Sequence, residues 1–140
     1  MRKYLVIFLA LFFIACGSEN SKNNENNATT QNCDVNKNEC PLLSKNGNIN
    51  ATLLIYPKPL ITMAETTFKF SGLPDLKEPN VRIYGLNMEM GIIKSELEKS
   101  GDVYTANIII SACVESVMKY RLEVLDGDKE IAYIDFDVQN

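Results

Sequence analysis

The stretch Met118-Lys119-Tyr120-Arg121-Leu122-Glu123-Val124-Leu125-Asp126-Gly127-Asp128, with Ile131 to Val138 after it, decides the fold. Successive side chains of a strand point to opposite faces, so Met118, Tyr120, Leu122 and Val124 share one side while Lys119, Arg121 and Glu123 share the other. One apolar and one charged side at a period of two is the pattern of a half-buried antiparallel strand. Ala132, Ile134, Phe136 and Val138 repeat it against Asp135 and Asp137. Asp126-Gly127-Asp128 between the two runs supplies turn residues for a tight hairpin.

Upstream, the same reasoning predicts strands near Thr52 to Tyr56, Thr66 to Ser71, Asn80 to Leu86, Ile92 to Leu97 and Val103 to Ile110. Asn46-Gly47, Gly72-Leu73-Pro74-Asp75 and Ser100-Gly101-Asp102 mark turns. The run Ile92 to Lys99 would also suit a helix, but Gly91 before it and strands on both sides favour a strand running into a turn. Seven short strands in roughly ninety residues predict an all-β, immunoglobulin-like sandwich over residues 50–140. The likeness is architectural, for the chain has no tryptophan and no cysteine pair at the antibody spacing. The expected core comprises Phe68, Phe70, Val81, Ile83, Ile108, Ile110, Tyr120, Leu122, Ile134 and Phe136.

The amino-terminal part has a different composition. Arg2 and Lys3 precede the apolar run Leu5 to Ile14 and the junction Ala15-Cys16, which together read as a secretory signal peptide over residues 1–15. Ten apolar residues are too few to span a bilayer as a helix, which takes about 20. Phe13-Ile14-Ala15-Cys16 resembles the bacterial lipoprotein cleavage site, with phenylalanine in place of the usual leucine. That resemblance implies that Cys16 becomes a lipidated N-terminus, with the protein held in the bilayer of the bacterial envelope and facing the periplasm. Gly17 in place of an aspartate points to the outer rather than the inner membrane.

Residues 16–49 are expected to form a polar tether and neck, disordered from residue 17 to about 45 apart from a Cys33–Cys40 loop. From Gly17 to Asn32 there is no large apolar residue to offset chain entropy. Within it, Glu25-Asn26-Asn27-Ala28-Thr29 satisfies the Asn-x-Thr acceptor at Asn27 and resembles the acidic acceptor of bacterial oligosaccharyltransferases. Cys33 and Cys40 enclose a short polar loop, and export makes a disulfide between them the first expectation. Cys113 is then a thiol, either packed or ligating, unless it is itself bridged to Cys33 or Cys40.

The chain has no histidine. Ser-His-Asp and Cys-His nucleophiles, the common histidine zinc sites and copper(II) imidazole sites are thereby excluded, and no catalytic constellation is expected. Asp126, Asp128 and Glu130 open like a calcium loop but lack its downstream glycine and glutamate. Without the leader there are twelve basic and eighteen acidic residues, a net charge of −6, which disfavours nucleic acid and anionic lipid headgroups as partners.

What the acidic balance does not oppose is a cation. Besides the first residue the chain has four methionines, and Met88 and Met90 stand one residue apart in Asn87-Met88-Glu89-Met90-Gly91. As strand neighbours they would share a face about 6.8 Å apart. With Cys113 and Met118 they make a set of soft sulfur donors suited to copper(I).

Val81 to Gly91, then Gly101-Asp102-Val103-Tyr104-Thr105-Ala106, then Cys113 and the strand from Met118, resemble the YtkA-like and FixH-like domains over a little over half the chain. The resemblance implies an exported or membrane-anchored β-sandwich in the setting of copper supply or oxidase assembly, with Met88, Met90 and Gly91 as the matching positions. This chain departs from many members in lacking a histidine near the methionines. Two functions of different class follow. One is a lipoprotein that binds or delivers copper(I). The other is a structural or interaction lipoprotein that meets an envelope protein and uses its methionines only for packing.

Overall fold

The computed structural model describes residues 33–47 and 49–139. The expected leader, the lipidation site Cys16, the tether up to residue 32 and Asn27 lie outside them.

Nine strands follow in order: β1 (Cys40–Pro41), β2 (Thr52–Tyr56), β3 (Glu65–Ser71), β4 (Pro79–Gly85), β5 (Ile93–Glu96), β6 (Glu98–Ser100), β7 (Val103–Ile109), β8 (Val117–Asp126) and β9 (Lys129–Gln139). No helix occurs among the described residues. One sheet runs β1-β2-β3-β7-β6 and the other β5-β4-β8-β9, every pairing antiparallel. This is the two-sheet strand order of a seven-stranded immunoglobulin-type domain with one strand added at the edge of each sheet, β1 in the first and β5 in the second. The inward residues of the two sheets meet in one core. Phe68 and Phe70 come from one side; Val81, Ile83, Leu122, Val124 and Ile134 come from the other. All ten expected core residues are buried.

The seven expected strands are present, and two short ones join them. The strand expected at Ile92 to Leu97 is β5, paired with β4; past it the chain crosses at the buried Leu97, and β6 pairs with β7 in the opposite sheet before the turn. A strand that changes sheets at a corner closes the side of a sandwich without a loop. The alternation of β8 breaks near its far end, where the register with β9 shifts between Val124 and Leu125.

The boundary expected at residue 50 is corrected. Residues 33–47 are part of the folded unit: Val35, Cys40 and Leu42 are buried, β1 pairs with β2, and Leu43 forms a bridge with Tyr133 on β9. The segment thus closes the gap between the sheets along the free edges of β2 and β9. Its polar side chains are also engaged, since Asn36 donates to the Asp137 carbonyl at 3.3 Å and accepts from the Leu60 N–H at 3.0 Å. Cys33 and Cys40 are joined by a disulfide, with their Cα atoms 5.7 Å apart.

On the outer face of the second sheet, Glu123 is buried between Arg82 and Tyr84, which both hydrogen-bond its carboxylate. Beside it Arg121 grips Asp135 through two bonds of 2.7 and 2.8 Å and lies over the Tyr133 ring. Two charge-assisted contacts, of which Arg121–Asp135 is forked, therefore tie β4, β8 and β9 together from the solvent side.

A packed neck and a free tether respond differently to truncation. Leu42→Ala should lower the unfolding free energy by about 2–5 kcal/mol, the range for emptying a core site. Denaturant unfolding followed by circular dichroism measures it; a change near zero would return residues 33–47 to the tether.

Candidate functional site

β4 ends at Gly85 and β5 begins at Ile93, so Met88 and Met90 lie in a loop, not on the strand that the even spacing predicts. The pairing of β4 with β8 runs out at Gly85 opposite Tyr120, and the Leu86 N–H makes one more bond to the Lys119 carbonyl at 2.7 Å. The Asn87 side chain then takes over. Its amide donates to the Val117 carbonyl at 3.0 Å and its oxygen accepts from the Lys119 N–H at 2.9 Å, satisfying the start of β8 as a further strand residue would. The loop is pinned there and turns inward. Met88 and Met90 are half-buried against the core while Glu89 between them faces water.

Only glycine fits at the pivot. A Cβ on Gly85 would fall 2.4 Å from the Met88 carbonyl oxygen and 3.2 Å from the Met118 methyl. Met118 itself is 1% exposed. It is a core residue beneath the methionine loop, so of the four sulfurs proposed as ligands it is the one that does not face the others at the surface.

The opposite wall comes from the loop 110–116 between β7 and β8. Cys113 is half-buried, stands outside any disulfide, and places its thiol 3.1 Å from the Met88 sulfur, to which it donates. The alternatives that bridged it to Cys33 or Cys40 do not occur. Tyr120 lies between the loops. Its ring stacks on Phe136 with centroids 5.8 Å apart, and its hydroxyl is 3.5 Å from both the Met90 sulfur and the Ser111 carbonyl oxygen. Burial first, and the adjacent Cys113 second, hold the Tyr120 phenol above its ordinary value, so it remains a neutral donor.

The fold thus joins Cys113 to Met88 and the Tyr120 hydroxyl to Met90 at one end of the sandwich, with Met118 beneath the methionine loop. From the sequence Tyr120 is a core residue, and neither it nor Asn87 has a part in the site. Tyr120 carried a signal, being next along the inward face after Met118; Asn87 carried none, because its partners lie thirty residues away.

The arrangement is soft in its chemistry. Among the described residues no three His, Cys, Asp or Glu side chains gather to hold an ion. Asp126, the first of the acids that resemble a calcium loop, instead accepts the Lys77 and Glu78 N–H groups at 2.8 Å each, and Glu130 pairs with Lys45 at 3.2 Å. What remains is a thiol and two thioethers at one end of a rigid sandwich, donors that select soft cations.

Replacing Asn87 by Ala should cost about 1–2 kcal/mol through its two lost hydrogen bonds. It should also speed labelling of Cys113 by a thiol reagent, as the Met88 loop loosens; unchanged labelling would mean that Asn87 does not hold the site. A second outcome concerns pH. Tyr84 is also raised, by burial and then by Glu123, so both phenols stabilise the fold below the ordinary tyrosine value of about 10, a contribution lost as pH rises through their folded values. Unfolding free energy measured against pH should fall on the alkaline side, and less steeply in a Tyr84→Phe/Tyr120→Phe variant.

No protein-family model matches the chain, and no curated protein and no solved structure matches it.

Proposed function

We propose that the protein is an envelope lipoprotein that binds copper(I) between Cys113 and Met88, with Met90 as third donor, and hands it on at the loop end of the sandwich. The observation that carries this is the contact of the Cys113 and Met88 sulfurs, which come from loops 25 residues apart in sequence and meet at 3.1 Å. On binding, the Cys113 thiol gives its proton to solvent and its sulfur bonds the ion, so the thiolate charge cancels that of copper(I). The thioethers add soft donors without charge. At metal–sulfur bonds of about 2.3 Å, two sulfurs on one ion stand roughly 4 Å apart. The sulfurs therefore have to part by only about 1 Å, which the three rotatable bonds of methionine supply.

Other features support the reading. The site is half-buried and reached from outside, as transfer requires. Tyr120 sits under Met90 as an outer-shell donor, the kind of partner that orients a ligand. The Cys33–Cys40 disulfide agrees with an oxidising compartment, and the leader with Cys16 agrees with a lipid anchor. In this reading Met118 is packing and catalysis has no part.

Titration of the reduced protein against a competing copper(I) chelator should show one ion per chain. Affinity should fall by more than about 100-fold in Met88→Leu/Cys113→Ser, a larger loss than an outer-shell change causes, and stay level in Met118→Leu. Because a proton is released, binding should weaken as pH is lowered. Equal affinity in wild type and double variant would leave the interaction reading, with the sulfurs as packing.

A further inference from the structure

The eight large apolar side chains that stand exposed among the described residues all lie at one end of the sandwich. The topology explains why they meet. β2, β4, β7 and β9 finish at this end and β3, β5 and β8 start there, so three separate loops, 57–64, 86–92 and 110–116, are neighbours. Ile61 and Met63 project from the first, Leu86 and Ile92 from the second, and Val114, 90% exposed, from the third. Tyr56 stands at the margin. The opposite end is built differently, with Asp75, Lys77, Glu78, Asp102 and Asp128 exposed at its turns.

The apolar end is fixed in place. Met63 is the only non-glycine among the described residues with a positive φ, +63°, a conformation that a Cβ disfavours. Its N–H donates to the Ile110 carbonyl at 2.8 Å, and its side chain is 69% exposed. A strained backbone that holds a methionine out in water is a feature to be explained by what the side chain meets.

The chain outside the described residues indicates what that is. The domain is entered at Cys33, and three residues later Asn36 binds Leu60 and Asp137, both at the apolar end. If Cys16 carries the anchor, sixteen residues separate it from Cys33, a span of at most about 55 Å for any chain of that length. The domain then never strays far from the bilayer, and a weak apolar contact is amplified by the high effective concentration of the surface. The three loops together carry one basic residue, Lys58, against Glu89 and Glu115, and the chain is acidic as a whole, which suits neutral rather than anionic headgroups.

We propose that the loops 57–64, 86–92 and 110–116 form a membrane-contact surface that seats the domain on the zwitterionic lipid bilayer holding its own N-terminus. The aliphatic tips enter the boundary between headgroups and acyl chains, and Tyr56 lies at headgroup level where an amphipathic ring is favoured. This rests on the lipid-anchor reading and is independent of copper.

The chain has no tryptophan, so one can be introduced as a probe. The full chain carrying Val114→Trp, or Lys77→Trp at the charged end, is reconstituted into phosphatidylcholine vesicles that contain brominated lipid. Flotation reads the anchor and tryptophan quenching reads the seat. In vesicles that float with protein, emission from Val114→Trp should be blue-shifted and quenched roughly twofold or more, as for a side chain in the interface, while Lys77→Trp keeps its aqueous emission. Flotation with both probes unquenched would overturn the seat and leave the anchor intact. A blue shift at Val114→Trp that needs no lipid, with doubled mass in sedimentation, would assign the surface to a second copy; a shift that appears only with membrane proteins would assign it to one of them. Failure to float would remove the anchor and the inference with it.

Discussion

β8 is the strand on which the structure depends. It is hydrogen-bonded on both edges, to β4 and to β9, and its inward residues Met118, Tyr120, Leu122 and Val124 are all buried. Its outward residues Arg121 and Glu123 hold the charged contacts that brace the same three strands from the other side. A strand held on both edges and packed on both faces has one register open to it, because a slip by one residue would put lysine, arginine and glutamate into the core. Whatever is attached near its beginning is therefore placed to within the tolerance of a packed core. The candidate site is attached there, through Asn87 to the backbone of Val117 and Lys119 and through Tyr120 to Met90.

The site combines rigid and compliant parts. Tyr120 is fixed by Phe136 and by burial, and Gly85 lets the methionine loop lie directly on Met118. Met88 and Cys113 sit on loops above this floor, with their sulfurs 3.1 Å apart. The same loops project Leu86, Ile92 and Val114 into solvent, so sulfur chemistry and apolar surface share one end while the charges of the turns gather at the other. That division follows from topology. In an antiparallel sandwich, alternate connections fall at opposite ends, and two ends can acquire different chemistry without any change in the core.

The fold was largely legible because period-two alternation is a direct consequence of burial on one face. It was plainest in β8 and β9, where charged and apolar residues alternate with few exceptions. Residues 33–47 were not legible as part of the domain. Val35, Cys40 and Leu42 are spread through polar sequence without a period, and they are buried by filling the seam between two sheet edges, which leaves no repeat. The crossing at Leu97 was hidden for a related reason, since a strand that changes sheets also changes which face is inside. At the site, the sulfur count groups Met88, Met90, Cys113 and Met118, of which Met118 is a core residue, and the two loop methionines do not lie on the strand that their spacing predicts. The loop gathers them by a side-chain amide and a glycine contact, long-range features that no local pattern carries. The exposed residues Ile61, Met63 and Val114 gave no signal singly; they acquire meaning once three loops are neighbours.

The central claim is that these sulfurs are a ligand set, and copper K-edge X-ray absorption on the copper(I)-loaded full chain tests it most directly. The account predicts a first shell of sulfur alone, about three atoms at roughly 2.3 Å, with no lighter scatterer, because the chain has no histidine to offer. A first shell of oxygen or nitrogen, or a sulfur shell that persists unchanged in Met88→Leu/Cys113→Ser, would contradict it.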